Sequence, residues 1–178
     1  DIRTKELIEK ICTIYPYPDV SVTQRIDDSI VDEMTALDMC VEVAISERPI
    51  TCIRKRRTFK TKDNKKGYTV VSSKMYPQGD KEKYWFGYRD KRFEDIEDCD
   101  EQYMILGCRN KTLSVVRFPR EFIEQNLGML NTSVNSETGE ISHYHIVIFK
   151  NPDGKMTMLL SKPALREIDI SDYVVGEI

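Results

Sequence analysis

The chain has 178 residues, 40% of them apolar and 32% charged, and a formal net charge of −3. That balance suits one soluble domain with a sizeable core, or a small domain with a helical appendage, and excludes disordered and fibrous classes. No apolar run approaches the roughly 20 residues that cross a bilayer, and Asp1-Ile2-Arg3-Thr4-Lys5 opens an amphipathic helix rather than a signal peptide.

A cytoplasmic protein with no membrane partner is therefore expected. The start on Asp1, without an initiator methionine, reads as an excised domain or a processed chain. Five cysteines (Cys12, Cys40, Cys52, Cys99 and Cys108) form no Cys-x-x-Cys pair, so a disulfide framework or zinc finger is not expected. Asn110-Lys-Thr and Asn131-Thr-Ser match the glycosylation triplet and read as turns without secretory context.

Taken in order, Ile2–Ile14 predicts a short helix, ended by Tyr15-Pro-Tyr-Pro-Asp19 because proline cannot continue it. Ser21 or Thr23 then caps a longer helix, with Ile26, Ile30, Met34, Leu37, Val41 and Ala44 or Ile45 as its apolar seam. That seam packs on the rest of the chain or on a second copy of itself. From Ile50 the periodicity changes to that of strands: Ile50–Phe59, Gly67–Met75 and Lys83–Arg89. Asp63-Asn-Lys-Lys-Gly67 and Pro77-Gln-Gly-Asp80 are turns. Asp90–Asp98 reads as a short acidic helix. Further strands are Gln102–Cys108, Thr112–Phe118, Ser142–Lys150 and Lys155–Leu160, the last pair closed by Asp153-Gly154. Pro119–Leu127 is a helix, Asn131–Glu140 a polar loop, and Ile168–Val175 an edge strand.

The expected class is α+β. A helical segment, 1–48, forms a hairpin and precedes a β-rich domain, 49–178. That domain is a curved, mainly antiparallel sheet or partly closed barrel with one or two inserted helices.

Charge is unevenly spread. Residues 1–47 carry four Lys/Arg against eleven Asp/Glu, residues 48–92 fifteen against four, and residues 93–101 none against six. Clustering of one sign, more than net charge, marks an electrostatic footprint. Arg54, Lys55, Arg56, Arg57, Lys60, Lys62, Lys65 and Lys66 form its densest part. On a continuous strand, alternation places Arg54 and Arg56 on one face and Lys55 and Arg57 on the other. A ribbon charged on both faces suits a phosphate backbone, a solvated edge guarded by lysines, or an acidic protein surface.

Downstream, Tyr84, Phe86 and Tyr88 share one strand face. Trp85, the only tryptophan, shares the other with Gly87 and Arg89. The second face is either a platform for a flat ring or the cover of a second small core. His143 and His145 project together from one strand and read as hydrogen-bonded structural histidines, since no third metal ligand lies nearby. The acids Glu94, Asp95, Glu97, Asp98, Asp100 and Glu101 read as a solvated, charge-balancing helix, and alternatively as ligands of a metal-dependent nuclease. No phosphate-binding glycine loop or nucleophile motif is present, so no catalytic residue and no cofactor are named.

Tyr84-Trp-Phe-Gly-Tyr, Tyr103-Met-Ile-Leu-Gly-Cys, Phe122-Ile-Glu-Gln-Asn-Leu, Leu130-Asn-Thr and His143-Tyr-His-Ile resemble poorly characterised prokaryotic proteins of restriction or other DNA-targeting contexts. The likeness spans about residues 83–175 and carries no established catalytic residue. The likeness adds to the DNA reading of the basic ribbon, and the leading expectation is a non-catalytic nucleic-acid-binding module, DNA in particular, of a prokaryotic restriction- or defence-type protein. The expected contacts are Arg54, Lys55, Arg56, Arg57, Lys60, Lys62, Trp85, Arg89, Lys91 and Arg92. The alternatives are a nuclease or nuclease remnant, and an interaction domain that forms a homodimer through helix 23–47.

Overall fold

The computed structural model describes residues 31–54 and 57–178. The expected helix Ile2–Ile14, the Ser21 or Thr23 cap, the pairing of two N-terminal helices, and Lys55 and Arg56 lie outside the described residues.

Helix α1 (Glu33–Ala44) begins where the Asp32 carboxylate accepts the Met34 and Thr35 amides, at 3.0 and 3.2 Å. Asp32 has extended backbone (φ −67°, ψ 157°), so this helix starts later than the expected cap at Ser21 or Thr23. Ala36, Leu37, Met39, Cys40, Val41 and Ala44 are buried against Phe59, Tyr68, Val70, Ile105, Leu113 and Val115. The seam of Leu37, Val41 and Ala44 is thus spent within the chain, while Met34 stays 46% exposed. Gly107 permits the close approach: a Cβ there would lie 2.7 Å from Cys40 Sγ. At the far end the Arg117 guanidinium donates to the Ala44 carbonyl at 2.9 Å, satisfying a helix-terminal acceptor.

Twelve strands follow among the described residues. They are β1 (Ile50–Arg54), β2 (Thr58–Thr61), β3 (Lys66–Lys74), β4 (Tyr76–Gln78), β5 (Lys81–Tyr88) and β6 (Glu101–Arg109). After these come β7 (Leu113–Pro119), β8 (Asn131–Val134), β9 (Ile141–Lys150), β10 (Met156–Leu160), β11 (Arg166–Asp169) and β12 (Val174–Glu177). Helix α2 (Arg120–Asn126) links β7 to β8. One sheet runs β1-β2-β3-β6-β7-β12. The other runs β11-β10-β9-β5-β4, with β8 also paired to β9.

Three layers result: α1, the first sheet, the second sheet. Alternation along β3, β6 and β7 sends Tyr68, Val70, Ile105, Leu113 and Val115 towards α1. It sends Val71, Met104, Leu106, Cys108, Val116 and Phe118 towards the second sheet, where they meet Tyr84, Phe86, Ile146, Ile148 and Met158. Central strands buried on both faces read as near-continuous apolar runs, as these do.

The α+β class holds, but neither sheet closes into a barrel. The chain leaves the first sheet at the end of β3, enters the second at β4, and returns only at β6. β3 and β6 therefore pair in parallel, in register from Lys66↔Glu101 to Lys74↔Arg109, within otherwise antiparallel sheets. This crossover has no α-helix between its strands, which is why periodicity alone did not reveal it.

Other boundaries shift. The expected single strand Ile50–Phe59 is a hairpin, its turn closed by the Arg57 amide donating to the Arg54 carbonyl at 2.7 Å. The continuous alternation assumed from Arg54 to Arg57 therefore does not apply, because Arg54 ends β1 and Arg57 stands in the turn before β2. The expected helix Asp90–Asp98 is two 3-10 turns, Asp90–Arg92 and Glu94–Ile96. The polar loop Asn131–Glu140 contains β8, and the tail adds β12 at the edge of the first sheet.

Candidate functional site

Where β3 passes into the second sheet, the two sheets meet closely enough for the Trp85 amide to donate to Ser73 Oγ at 3.0 Å. Beside this junction lies an open cleft of about 470 Å³. From the first sheet come Arg54 and Arg57 at the β1–β2 turn, and Thr58 and Thr69, which face each other across β2 and β3. From the second come Trp85 and Gly87 of β5, the following Arg89, Lys91 and Arg92, and His143 of β9. Asp95 completes the lining.

Six of the ten expected contacts thus meet: Arg54, Arg57, Trp85, Arg89, Lys91 and Arg92. Two do not. Lys60 pairs with Asp98 away from the cleft, and Lys62 is exposed in the β2–β3 turn. The remaining two, Lys55 and Arg56, are outside the described residues.

The cations differ in how far their charge is matched. Arg54 forks onto Asp95 through Nε at 3.0 Å and Nη2 at 3.2 Å. Arg57 pairs with Glu33 at 3.1 Å, both side chains about half exposed. Arg89, Lys91 and Arg92 form no ion pair among the described residues. Arg92 is nonetheless held, since its Nε and Nη2 both donate to the Gly87 carbonyl, at 3.1 and 3.0 Å. Burial, then the charges of Arg57 and Arg89, pull the Arg92 pKa below its usual value. Three guanidinium groups thus repel one another around a common space, and an anion placed there would relieve that repulsion.

Trp85 is 38% exposed on the outward face of β5, opposite Tyr84 and Phe86, which enter the core. The apolar face of α1 packs on the first sheet and does not cover it. The indole leans over Gly87, where a Cβ would stand 3.3 Å from its Cη2. It meets His143 and His145 edge-on, with centroids 5.6 and 5.4 Å apart, while the two imidazoles stack at 5.2 Å. Hydrogen bonds fix the rings: Ser142 Oγ is 2.9 Å from His143 Nδ1, and Ser133 Oγ 2.8 Å from His145 Nε2. Burial and then His143 lower the His145 pKa, favouring the neutral ring.

His143 is the cleft residue that the sequence pattern assigned to structure alone. The i, i+2 pair placed it beside His145. Only the β5–β9 register, with Gly87 opposite His145, carries it to Trp85.

The acidic run is distributed among partners. Asp95 holds Arg54, Asp98 holds Lys60, and Glu101 accepts from Tyr103. No group of three His, Cys, Asp or Glu side chains able to hold a metal occurs among the described residues. Among the same residues, no helix is long and apolar enough to cross a membrane.

No protein-family model, curated protein or solved structure matches the chain.

Proposed function

We propose that the chain is a non-catalytic nucleic-acid-binding module, directed to DNA, that acts within or beside a restriction- or defence-type system. One observation carries the reading. Arg54, Arg57, Arg89, Lys91 and Arg92, from two separate stretches, line one open cleft against a single lining acid, Asp95. Clustered guanidinium groups with unspent donors suit phosphate oxygens, which accept several N–H bonds at once. The prokaryotic setting rests on the likeness over 83–175 alone.

The arrangement of the acids favours no nuclease, because Asp95 and Asp98 are engaged by Arg54 and Lys60. Among the described residues of the expected helix 23–47, Leu37, Val41 and Ala44 are buried on the chain's own sheet, which does not favour a dimer through them.

The test is titration of labelled oligonucleotides at about 50 and 200 mM salt. Affinity should fall steeply between the two, as displaced counterions require. Absence of binding to any nucleic acid at the lower salt would end the proposal.

A further inference from the structure

We infer that the cleft receives an unpaired base, so that its preferred ligand is single-stranded nucleic acid rather than intact duplex. The inference rests on the nucleic-acid reading and adds to it the form of the ligand. An exposed aromatic by itself needs no explanation. Trp85 differs in its placement. It lies inside the cleft, its neighbours Arg57, Arg89 and Arg92 are cations, and Gly87 gives it room to lie along the strand.

A paired duplex offers a protein its base edges and phosphates, while its base faces are covered by stacking. An indole is of use to a base only when a face is open, as in single strands and loops. The cleft, at about 470 Å³, is within the range of small-ligand sites, roughly 300–1,000 Å³, so it has room for one nucleotide. His143 and His145 buttress the indole edge-on. The base then stacks on the indole while Arg57, Arg89 and Arg92 hold the adjoining phosphates.

Trp85 is the only tryptophan, so emission excited at wavelengths beyond tyrosine absorption reports this ring alone. The experiment titrates the protein with a thymidine oligomer of about twelve nucleotides, within single-strand site sizes, and with a perfectly paired duplex of equal length. Single strand should quench the emission and bind about tenfold more tightly. Trp85→Ala should lower single-strand affinity about tenfold, from the stacking of one base, and so remove the preference for single strand over duplex. Trp85→Phe, which keeps a ring and the fold, should retain most of it. Equal affinity for both forms with unchanged emission overturns the inference and leaves the nucleic-acid reading standing. Failure of both forms to bind removes both.

Discussion

Two parts of the same basic block, residues 48–92, are put to different uses. In the β2–β3 ribbon, Lys60 pairs with Asp98, and Lys66 pairs with Glu47 at 2.6 Å and lies 3.9 Å from Glu101. Those lysines join strands and turns of the chain to one another. Around the cleft, Arg89, Lys91 and Arg92 make no ion pair among the described residues, and Arg57 and Arg54 make only exposed or partly exposed ones. Density of charge along the chain therefore says little about which charges are available. Exposed ion pairs contribute about 0–1 kcal/mol, whereas unmatched cations gathered in one cleft keep their attraction for an anion.

The contrast is broken most forcefully by the triple change Arg57→Ala, Arg89→Ala, Arg92→Ala. Each lost charge-assisted hydrogen bond is worth about 1.5–3 kcal/mol, so loss of all three should lower affinity by about a thousandfold or more. The log–log salt slope should flatten by about two to three, read by titration at several salt concentrations.

A smaller effect belongs to the ribbon. Burial pushes the Glu47 carboxyl up, but hydrogen bonds from Lys66 and the Tyr68 hydroxyl (2.8 Å) overcome it and hold its pKa at about 2. A carboxylate depressed below its ordinary value of 4.5 adds stability above that pH and loses it as pH falls towards about 2. Glu47→Gln should cost about 1 kcal/mol at neutral pH and flatten the acid limb of a denaturation-against-pH series. Nucleic-acid affinity should stay the same.

Asp95→Asn, which releases Arg54, should tighten binding by a few fold, the value of one exposed ion pair. Least of all, Lys62→Ala with Lys65→Ala should change affinity less than twofold and leave the salt slope near its original value. A large loss there would erase the distinction between ribbon and cleft.

Much of the chain's local structure was legible from residue order. Apolar and β-branched residues along Gly67–Met75, Gln102–Cys108 and Thr112–Phe118 marked strands that the structure places at the centre of the first sheet. Pro119 and the pattern after it marked α2, and Asp153-Gly154 marked a hairpin in which Gly154 takes φ +85°. Tyr84, Phe86 and Tyr88 were separable from Trp85 by period two alone. Less was legible where the chain is most charged. Arg54–Arg57 looked like continuous strand because β-branched and basic residues surround it, and no glycine or proline announces its turn.

What local order decided is the identity of most strands, the separation of Tyr84, Phe86 and Tyr88 from Trp85, and the strong imbalance of charge along the chain. Those follow from short-range periodicity, which needs no partner to be read. Only tertiary structure decided that β3 and β6 run in parallel and that there are two open sheets. It also decided that Arg57, Arg92, Trp85 and His143 share one cleft while Lys60 and Lys66 are drawn away to acids. Such outcomes depend on strand register and on which opposite charge lies within a few ångströms. Both are properties of segments far apart in the chain, brought together by burying the apolar face they share.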